Sequence, residues 1–232
     1  MVMEMQKENC LNCTIKSSVV SILNNRELME LGKACHQTEF RKGELIFKET
    51  SPANHIIYIR EGFAKLSKSG IGGKDYILSI SKKGAYLNIN NLNKKSRQYY
   101  VSATALTPTK VCFVDIVKFA ILLKENGKFA TEVINYIVDD EMNYYDRLVN
   151  NVQQQVPGRL ANTLFYFRYE VYNQNPFNLN ITKVELASLI GTSRESVTRL
   201  LKEFQEARII EMSKNTIAIL DEKRLQEIRL KG

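Results

Sequence analysis

The side chains best equipped for chemistry lie in one stretch, Thr182 to Lys202 (TKVELASLIGTSRESVTRLLK). Arg194, Glu195, Thr198 and Arg199 fall on the outer side of a helix expected to begin after Ser193. The chemistry they offer is hydrogen bonding to base edges. An arginine fork pairs with guanine O6 and N7, and a glutamate accepts from cytosine N4. Thr182, Lys183, Ser193, Ser196 and Lys202 flank them and suit phosphate oxygens, where contacts set register but carry no sequence information.

Two short helices joined by a tight turn would position these groups. Thr182 and Glu185 form a capping box, each side chain taking a backbone N–H that the first turn leaves without a partner. Leu186, Leu189 and Ile190 make the apolar stripe of the first helix, and Ala187 permits a close approach to its neighbour. Gly191 stands where the chain must reverse, because glycine takes positive φ without steric cost. Ser193 caps the second helix, which buries Val197, Leu200, Leu201 and Phe204. This spacing is that of a helix-turn-helix, whose second helix enters the major groove N-terminus first. Two amphipathic helices of an ordinary α domain are the plainer alternative. They would not need the small residue, the glycine and the exposed arginines together.

The chain has 232 residues, 44% of them hydrophobic and 25% charged, with no tryptophan. That length suggests one or two domains with a sizeable core. The net charge of +8 favours a polyanionic partner. The excess is spread out, however: from residue 151 onward there are 12 basic against 9 acidic residues. Charge therefore supports nucleic-acid binding only in a general way, and the helix pair carries that expectation. No uncharged apolar run approaches the ~18 residues a membrane span needs. The start, MVMEMQKENC, lacks a signal pattern, so a cytoplasmic protein is expected. No nucleophile elbow, phosphate-binding loop or metalloprotease helix occurs, and no enzyme is expected.

In chain order, Asn25–Ala34 reads as a helix capped by Asn24 or Asn25. Strand-type runs follow at Glu44–Lys48, His55–Arg60, Phe63–Ser67, Tyr76–Ile80, Tyr99–Leu106 and Lys110–Asp115. They are split by turn residues such as Glu61-Gly62 and Lys83-Gly84, the pattern of a sandwich or barrel. A short helix near Val117–Glu125 precedes a long one from about Lys128 to Gln154. Ile134, Ile137, Glu141, Tyr144, Leu148 and Asn151 repeat along it at alternating three and four, a seam suited to a partner helix. Its ~40 Å length exceeds what one small barrel covers. Pro157 suits the first turn of the next helix, 159–172. Asn173–Asn178 reads as a loop, Ile209–Met212 and Thr216–Leu220 as a wing hairpin, and Glu222–Leu230 as a closing helix.

The order of barrel, long helix and winged helix-turn-helix resembles the cAMP receptor protein/Fnr (Crp/Fnr) family of bacterial regulators. The resemblance rests on Phe40-Arg-Lys-Gly43-Glu44-Leu-Ile-Phe47, Ile57-Tyr58-Ile59-Arg60-Glu61-Gly62-Phe63-Ala64-Lys65, Arg159-Leu160-Ala161 and Thr182 to Ile210, and covers roughly residues 20 to 230. It implies an α+β fold: a cyclic-nucleotide-binding-like β-barrel of the jelly-roll kind (20–127), a dimerisation helix (128–154) and a winged helix-turn-helix domain (155–232). It implies a homodimer, with Ile134, Ile137, Tyr144 and Leu148 at the interface, acting on a palindromic operator and on RNA polymerase. The rival is a non-DNA-binding ligand protein of the same fold, which would have no use for Arg194, Glu195 and Arg199.

The sensor half departs from the nucleotide-binding members. Asn88 and Ile89 stand near the places of their Gly-Glu pair, and Tyr99-Tyr100 where an arginine meets the phosphate, with Arg97 two residues early. A cyclic phosphate needs a cationic fork, so cAMP is not the expected effector. A small cavity lined by Tyr86, Leu87, Tyr99 and Tyr100 is expected instead.

Four cysteines in a cytoplasmic chain are not a disulfide framework. Cys10-x2-Cys13 is spaced like a ligand pair. In the oxygen-sensing branch of the family such a pair is followed by a third cysteine, expected here near Val19, and by a fourth near the place of Cys112. Cys35 stands elsewhere. An iron–sulfur cluster on Cys10, Cys13 and Cys112 with Cys35 is one reading. The other, which the residues favour, makes Cys35 and Cys112 buried small hydrophobes and leaves Cys10 and Cys13 on a loose terminus. His36 and His55 offer little for haem.

Overall fold

The computed structural model describes residues 10–73, 75–92 and 98–231, so Arg97 lies outside the described residues. The chain forms two compact units. The first runs to Lys68 and resumes from Ile80 to Glu141; the second takes Ser69–Ser79 and everything from Met142 onward.

In the first unit the continuous apolar run HIIYIRE becomes a strand buried on both faces, the expected outcome when hydrophobic residues do not alternate with polar ones. This is β3 (His55–Glu61). It pairs antiparallel with β7 (Thr109–Asp115), which pairs with β1 (Cys35–Phe40), in the order β1-β7-β3. A second sheet holds β2 (Leu45–Phe47), β4 (Phe63–Ser69) and β6 (Ser102–Ala105) in the order β2-β6-β4, and β5 (Asp75–Lys82) lies mostly in the second unit.

Successive side chains of a strand point to opposite faces, and β3 divides its residues accordingly. Ile57 and Ile59 join Phe47, Ala64, Ala103 and Val111 between the two sheets. Ile56 and Tyr58 join Cys112 and Val114 in a separate core beneath the helices. Those helices are α1 (Ser18–Ser21), α2 (Asn25–Lys33), α3 (Ile116–Glu125) and the start of α4 (Gly127–Gln153). They contribute Val19, Leu28, Leu31, Phe119, Leu122, Phe129 and Val133. Each of the first three has a side-chain cap: Ser17 to Val20 N, a reciprocal capping box of Asn24 and Glu27, and Asp115 to two backbone N–H groups. Gly62, between β3 and β4, has φ +86, and a Cβ there would meet Pro108 O at 2.4 Å. Only glycine fits that turn.

The second unit is built on α5 (Val156–Phe165), which continues as a π-helical segment over Tyr166–Val171. Then come β8 (Phe177–Asn178), α6 (Lys183–Ile190), α7 (Arg194–Glu206), β9 (Ile210–Ser213), β10 (Thr216–Ile219) and α8 (Glu222–Lys231). Leu160, Leu164, Phe167, Phe177, Leu186, Ile190 and Leu201 are fully buried.

Three sequence expectations change. Cys35–Phe40 is a strand, although CHQTEF carries no apolar alternation; six backbone pairs to β7 hold it. The run 99–106 is strand only over Ser102–Ala105. The loop 173–178 ends in β8, which pairs with β10 and makes the wing sheet three-stranded in the order β8-β10-β9.

Candidate nucleic-acid interface

The turn between α6 and α7 follows from three local devices. Thr182 N donates to Glu185 Oε2 at 2.7 Å while Glu185 N donates to Thr182 Oγ1 at 3.2 Å. Gly191 adopts the left-handed conformation, φ 64 and ψ 50. Thr192 N reaches back to Ala187 O at 2.9 Å, closing α6 as glycine C-caps do. Ser193 then accepts from Ser196 N at 3.1 Å and starts α7. Val197, Leu200, Leu201 and Phe204, at helical spacing, bury one side of α7. The rotation this fixes leaves Arg194, Glu195, Thr198, Arg199 and Lys202 exposed together. Thr182, Lys183 and Ser193 are also exposed, and Ser196 is half-buried.

Two charges on this face are engaged within the helix. Arg199 Nη1 lies 2.7 Å from Glu203 Oε1, and Lys202 Nζ 3.6 Å from Glu206 Oε1. Both are exposed i,i+4 pairs, worth only about 0.3–0.5 kcal/mol. A base edge or a phosphate can therefore displace either carboxylate at little cost. Thr198 Oγ1 donates to Arg194 O at 2.8 Å, which draws its hydroxyl back onto the helix. The wing turn at Lys214 and Asn215 joins β9 to β10, and Thr216 Oγ1 hydrogen-bonds Asn178 Oδ1 at 2.7 Å.

A Crp-like helix-turn-helix domain matches residues 158–228, and a cyclic nucleotide-binding domain matches residues 37–126. The chain belongs to the Crp/Fnr family. Electron transport regulator A of Shewanella oneidensis is 24% identical over 222 residues, covering 92% of this chain and 87% of that protein. Transcriptional activator protein Anr of Pseudomonas protegens is 22% identical over 219 residues, covering 92% and 89%. FixK2 from Bradyrhizobium japonicum shares the fold, with a TM-score of 0.76 at 17% identity over 84% of this chain and 96% of that one. The protein is thus a Crp/Fnr-type transcriptional regulator with a helix-turn-helix DNA-binding domain. Among the described residues no helix is long and apolar enough to cross a membrane.

The expected effector cavity is corrected. Tyr86 and Leu87 are adjacent, so they point into different cores: Tyr86 into that beneath the helices, Leu87 into that between the sheets. Tyr86 Oη hydrogen-bonds Ser17 Oγ at 2.7 Å, and Tyr99 stacks on Phe47 with ring centroids 4.1 Å apart. Tyr100 is 71% exposed, with Lys68 Nζ 3.6 Å over its ring. The four side chains therefore do not line one cavity. Asn88, which the sequence offered only as a departure, is a buried strut. Its Oδ1 accepts from Ile57 N at 2.9 Å and its Nδ2 donates to His55 O at 2.7 Å.

Of the expected seam on α4, Ile134, Tyr144 and Leu148 are exposed. Ile137 packs against its own chain's core, and Tyr144 and Leu148 line a small cavity within the second unit. The exposed large hydrophobic residues of α4 are Ile134, Val138, Met142, Tyr144, Tyr145, Leu148, Val149 and Val152. Among them Val138, Met142, Tyr145, Val149 and Val152 are spaced four, three, four, three, the period of a two-helix seam.

Cys10, Cys35 and Cys112 converge although 25 and 77 residues separate them. Cys10 opens a short 3-10 turn, Cys10–Asn12, and is half-buried, not loose. The Cys35 thiol donates to His36 O at 4.0 Å and interacts with the thiols of Cys10 and Cys112. Cys13 Sγ accepts from Arg60 Nη2 at 3.8 Å, and Arg60 is held on its other side by Gln37. The bond from Cys35 is the main reason the Cys10 thiol falls to about 7, with Arg60 and Lys16 adding to it against burial. The Cys35 thiol moves up for the reciprocal reason. Among the described residues, no group of three or more His, Cys, Asp or Glu has the arrangement of a metal site. Cys10, Cys35 and Cys112 thus lie together, while Cys13 pairs with Arg60. His36 and His55 pack edge to face and both contact Phe113.

Proposed function

We propose that this regulator binds DNA as a homodimer, each α7 reading one half of a two-fold operator, under control of an effector other than cAMP. The observation that carries the reading is the joint exposure of Arg194, Glu195, Thr198 and Arg199 at the N-terminal half of α7. Arg194 and Glu195 occupy the first turn, where such helices meet base edges. Arg199 stands a turn further on, and Thr182, Lys183, Ser193, Ser196 and Lys202 suit phosphates. The stripe from Val138 to Val152 supports dimerisation through α4, and the family supports action on RNA polymerase. The Phe47–Tyr99 stack, and tyrosines where the nucleotide-binding members carry arginine, speak against cAMP.

Two variants test the assignment by fluorescence anisotropy on cognate and scrambled duplexes at two salt concentrations. Arg199→Ala loses about 1–3 kcal/mol on the cognate duplex and relaxes the preference at one G·C pair. Lys202→Ala weakens all duplexes alike and flattens the salt dependence. Equal weakening of both duplexes by Arg199→Ala would make Arg199 a phosphate contact.

The grouping of Cys10, Cys35 and Cys112 supports a second reading for the sensor, in which these three thiols and Cys13 would come together on an iron–sulfur cluster. A bound cluster would supply an oxidant-sensitive link between the N-terminal turn and the strands carrying Cys35 and Cys112. Arg60 beside Cys13 would offset the anionic charge of the thiolates. Protein purified without oxygen should then show visible absorption that bleaches in air, and Cys35→Ala should lose it. A colourless anaerobic protein would rule this sensor out while leaving DNA binding untouched.

A further inference from the structure

Within the second unit lies a cavity of about 100 Å3. Its lining includes Arg147 and Asn151 of α4, Arg159 of α5, and the rings of Tyr76, Tyr144 and Tyr166. Two guanidinium groups line it and no carboxylate does. Arg147 Nε and Arg159 Nε are both buried without a hydrogen-bond acceptor among the described residues. A buried donor without an acceptor is costly, and a charged one more so.

The partners these arginines do have leave that need standing. Arg159 Nη1 donates to Asn151 O at 3.2 Å. The Arg147 guanidinium carbon lies 5.7 Å from the centre of the Tyr166 ring, a contact that draws on its positive charge without satisfying an N–H. Asn151 Nδ2 donates to Tyr76 Oη at 2.9 Å. Burial raises that phenol, with Tyr144 adding to it, while the Asn151 bond and the positive fields of Arg159 and Arg147 act against the rise. The remaining wall holds Leu78, Leu148 and Leu189 with Asn162 and Thr163.

We propose that this cavity is a binding site for a small oxyanion with a body no larger than one ring, a carboxylate by preference, clamped by Arg147 and Arg159. Planar guanidinium forks match the paired oxygens of a carboxylate or phosphate. The tyrosine and leucine walls favour an apolar body over a bare inorganic ion.

The site also touches the helix-turn-helix. A Cβ on Gly191 would stand 3.5 Å from Arg159 Nη1, so the guanidinium lies against the turn that sets α7. Leu189 of α6 lines the cavity. Ser188 Oγ donates to Asp75 O at 2.8 Å and accepts from Ile77 N at 3.1 Å, tying α6 to the strand that carries Tyr76. An anion that engages Arg159 therefore changes DNA affinity, and DNA changes the anion's affinity by the same factor. This regulatory consequence rests on α7 as the DNA reader; the site itself does not.

Calorimetric titration of the full chain with sodium benzoate, and separately with inorganic phosphate, at constant ionic strength and without DNA, tests the site. Benzoate should bind saturably at millimolar concentration or tighter. Arg147→Gln and Arg159→Gln should each weaken it at least about tenfold, with the exposed Lys223→Gln of the same unit as an unchanged control. Arg147→Gln keeps the test usable if loss of the Arg159–Asn151 bond disturbs folding. Saturable binding of phosphate alone, with the same arginine dependence, would uphold the oxyanion site and make phosphate its source. No saturable heat from either anion, or binding indifferent to both arginines, would overturn the site. Repeating the anisotropy assay with benzoate separates the two claims: intact benzoate binding with unchanged DNA affinity would remove the regulatory link alone.

Discussion

At the scale of single residues, neighbours set reactivity more than residue type does. Cys10 and Cys35 share one hydrogen bond, and it drives them in opposite directions, Cys10 down to about 7 and Cys35 up. The thiolate is the nucleophile, so the rates should diverge. In metal-free protein, alkylation of Cys10 by iodoacetamide should reach half its plateau near pH 7. It should fall about tenfold for each pH unit below, because a lowered thiol pKa preserves thiolate only down to that value. Cys35 should stay slow throughout. Peptide mass analysis of the alkylated chain measures both. A Cys10 midpoint at the ordinary thiol value, near 8.5, would show that the Cys35 contact does not form in solution.

At the scale of elements, the sequence was legible where structure is set locally. Thr182, Glu185, Gly191 and Ser193 each perform the capping or turning role that their type and spacing suggest. Asn24 with Glu27 and the turn glycine Gly62 behave the same way. Gly62→Ala should therefore cost about 2–4 kcal/mol, since it combines positive-φ strain with a backbone clash. Urea unfolding measures this, and a loss under 1 kcal/mol would mean that the β3–β4 turn relaxes freely. What stayed hidden depends on pairing across distance. Strand β1 is polar in sequence and exists because β7 supplies its partners. β8 is two residues long and is defined by Thr216 and Ile217 opposite it. Tyr99 and Tyr100 look alike in sequence, but consecutive residues face opposite ways, one into the core and one to solvent. The cysteine row joins three separate elements, and no local spacing announces it.

At the scale of the molecule, a two-fold operator calls for two chains. The stripe Val138, Met142, Tyr145, Val149 and Val152 leaves a long apolar edge on α4, each residue 45% exposed or more. Val138→Asp with Val149→Asp would place unpaired carboxylates in the seam, at several kcal/mol per symmetric contact. Light scattering should then report a folded monomer, and operator affinity should collapse with it. A double variant that stays dimeric would put the interface on another surface. Two recognition helices on a two-fold axis should read half-sites about one helical turn, ~34 Å, apart. The most direct measurement is selection of bound duplexes from a random-sequence pool, followed by sequencing. Enrichment of a two-fold symmetric site at that spacing is expected, with one enriched G·C position per half lost when Arg199→Ala is used for selection. Enrichment of nothing, or of a site without two-fold symmetry, would contradict that expectation.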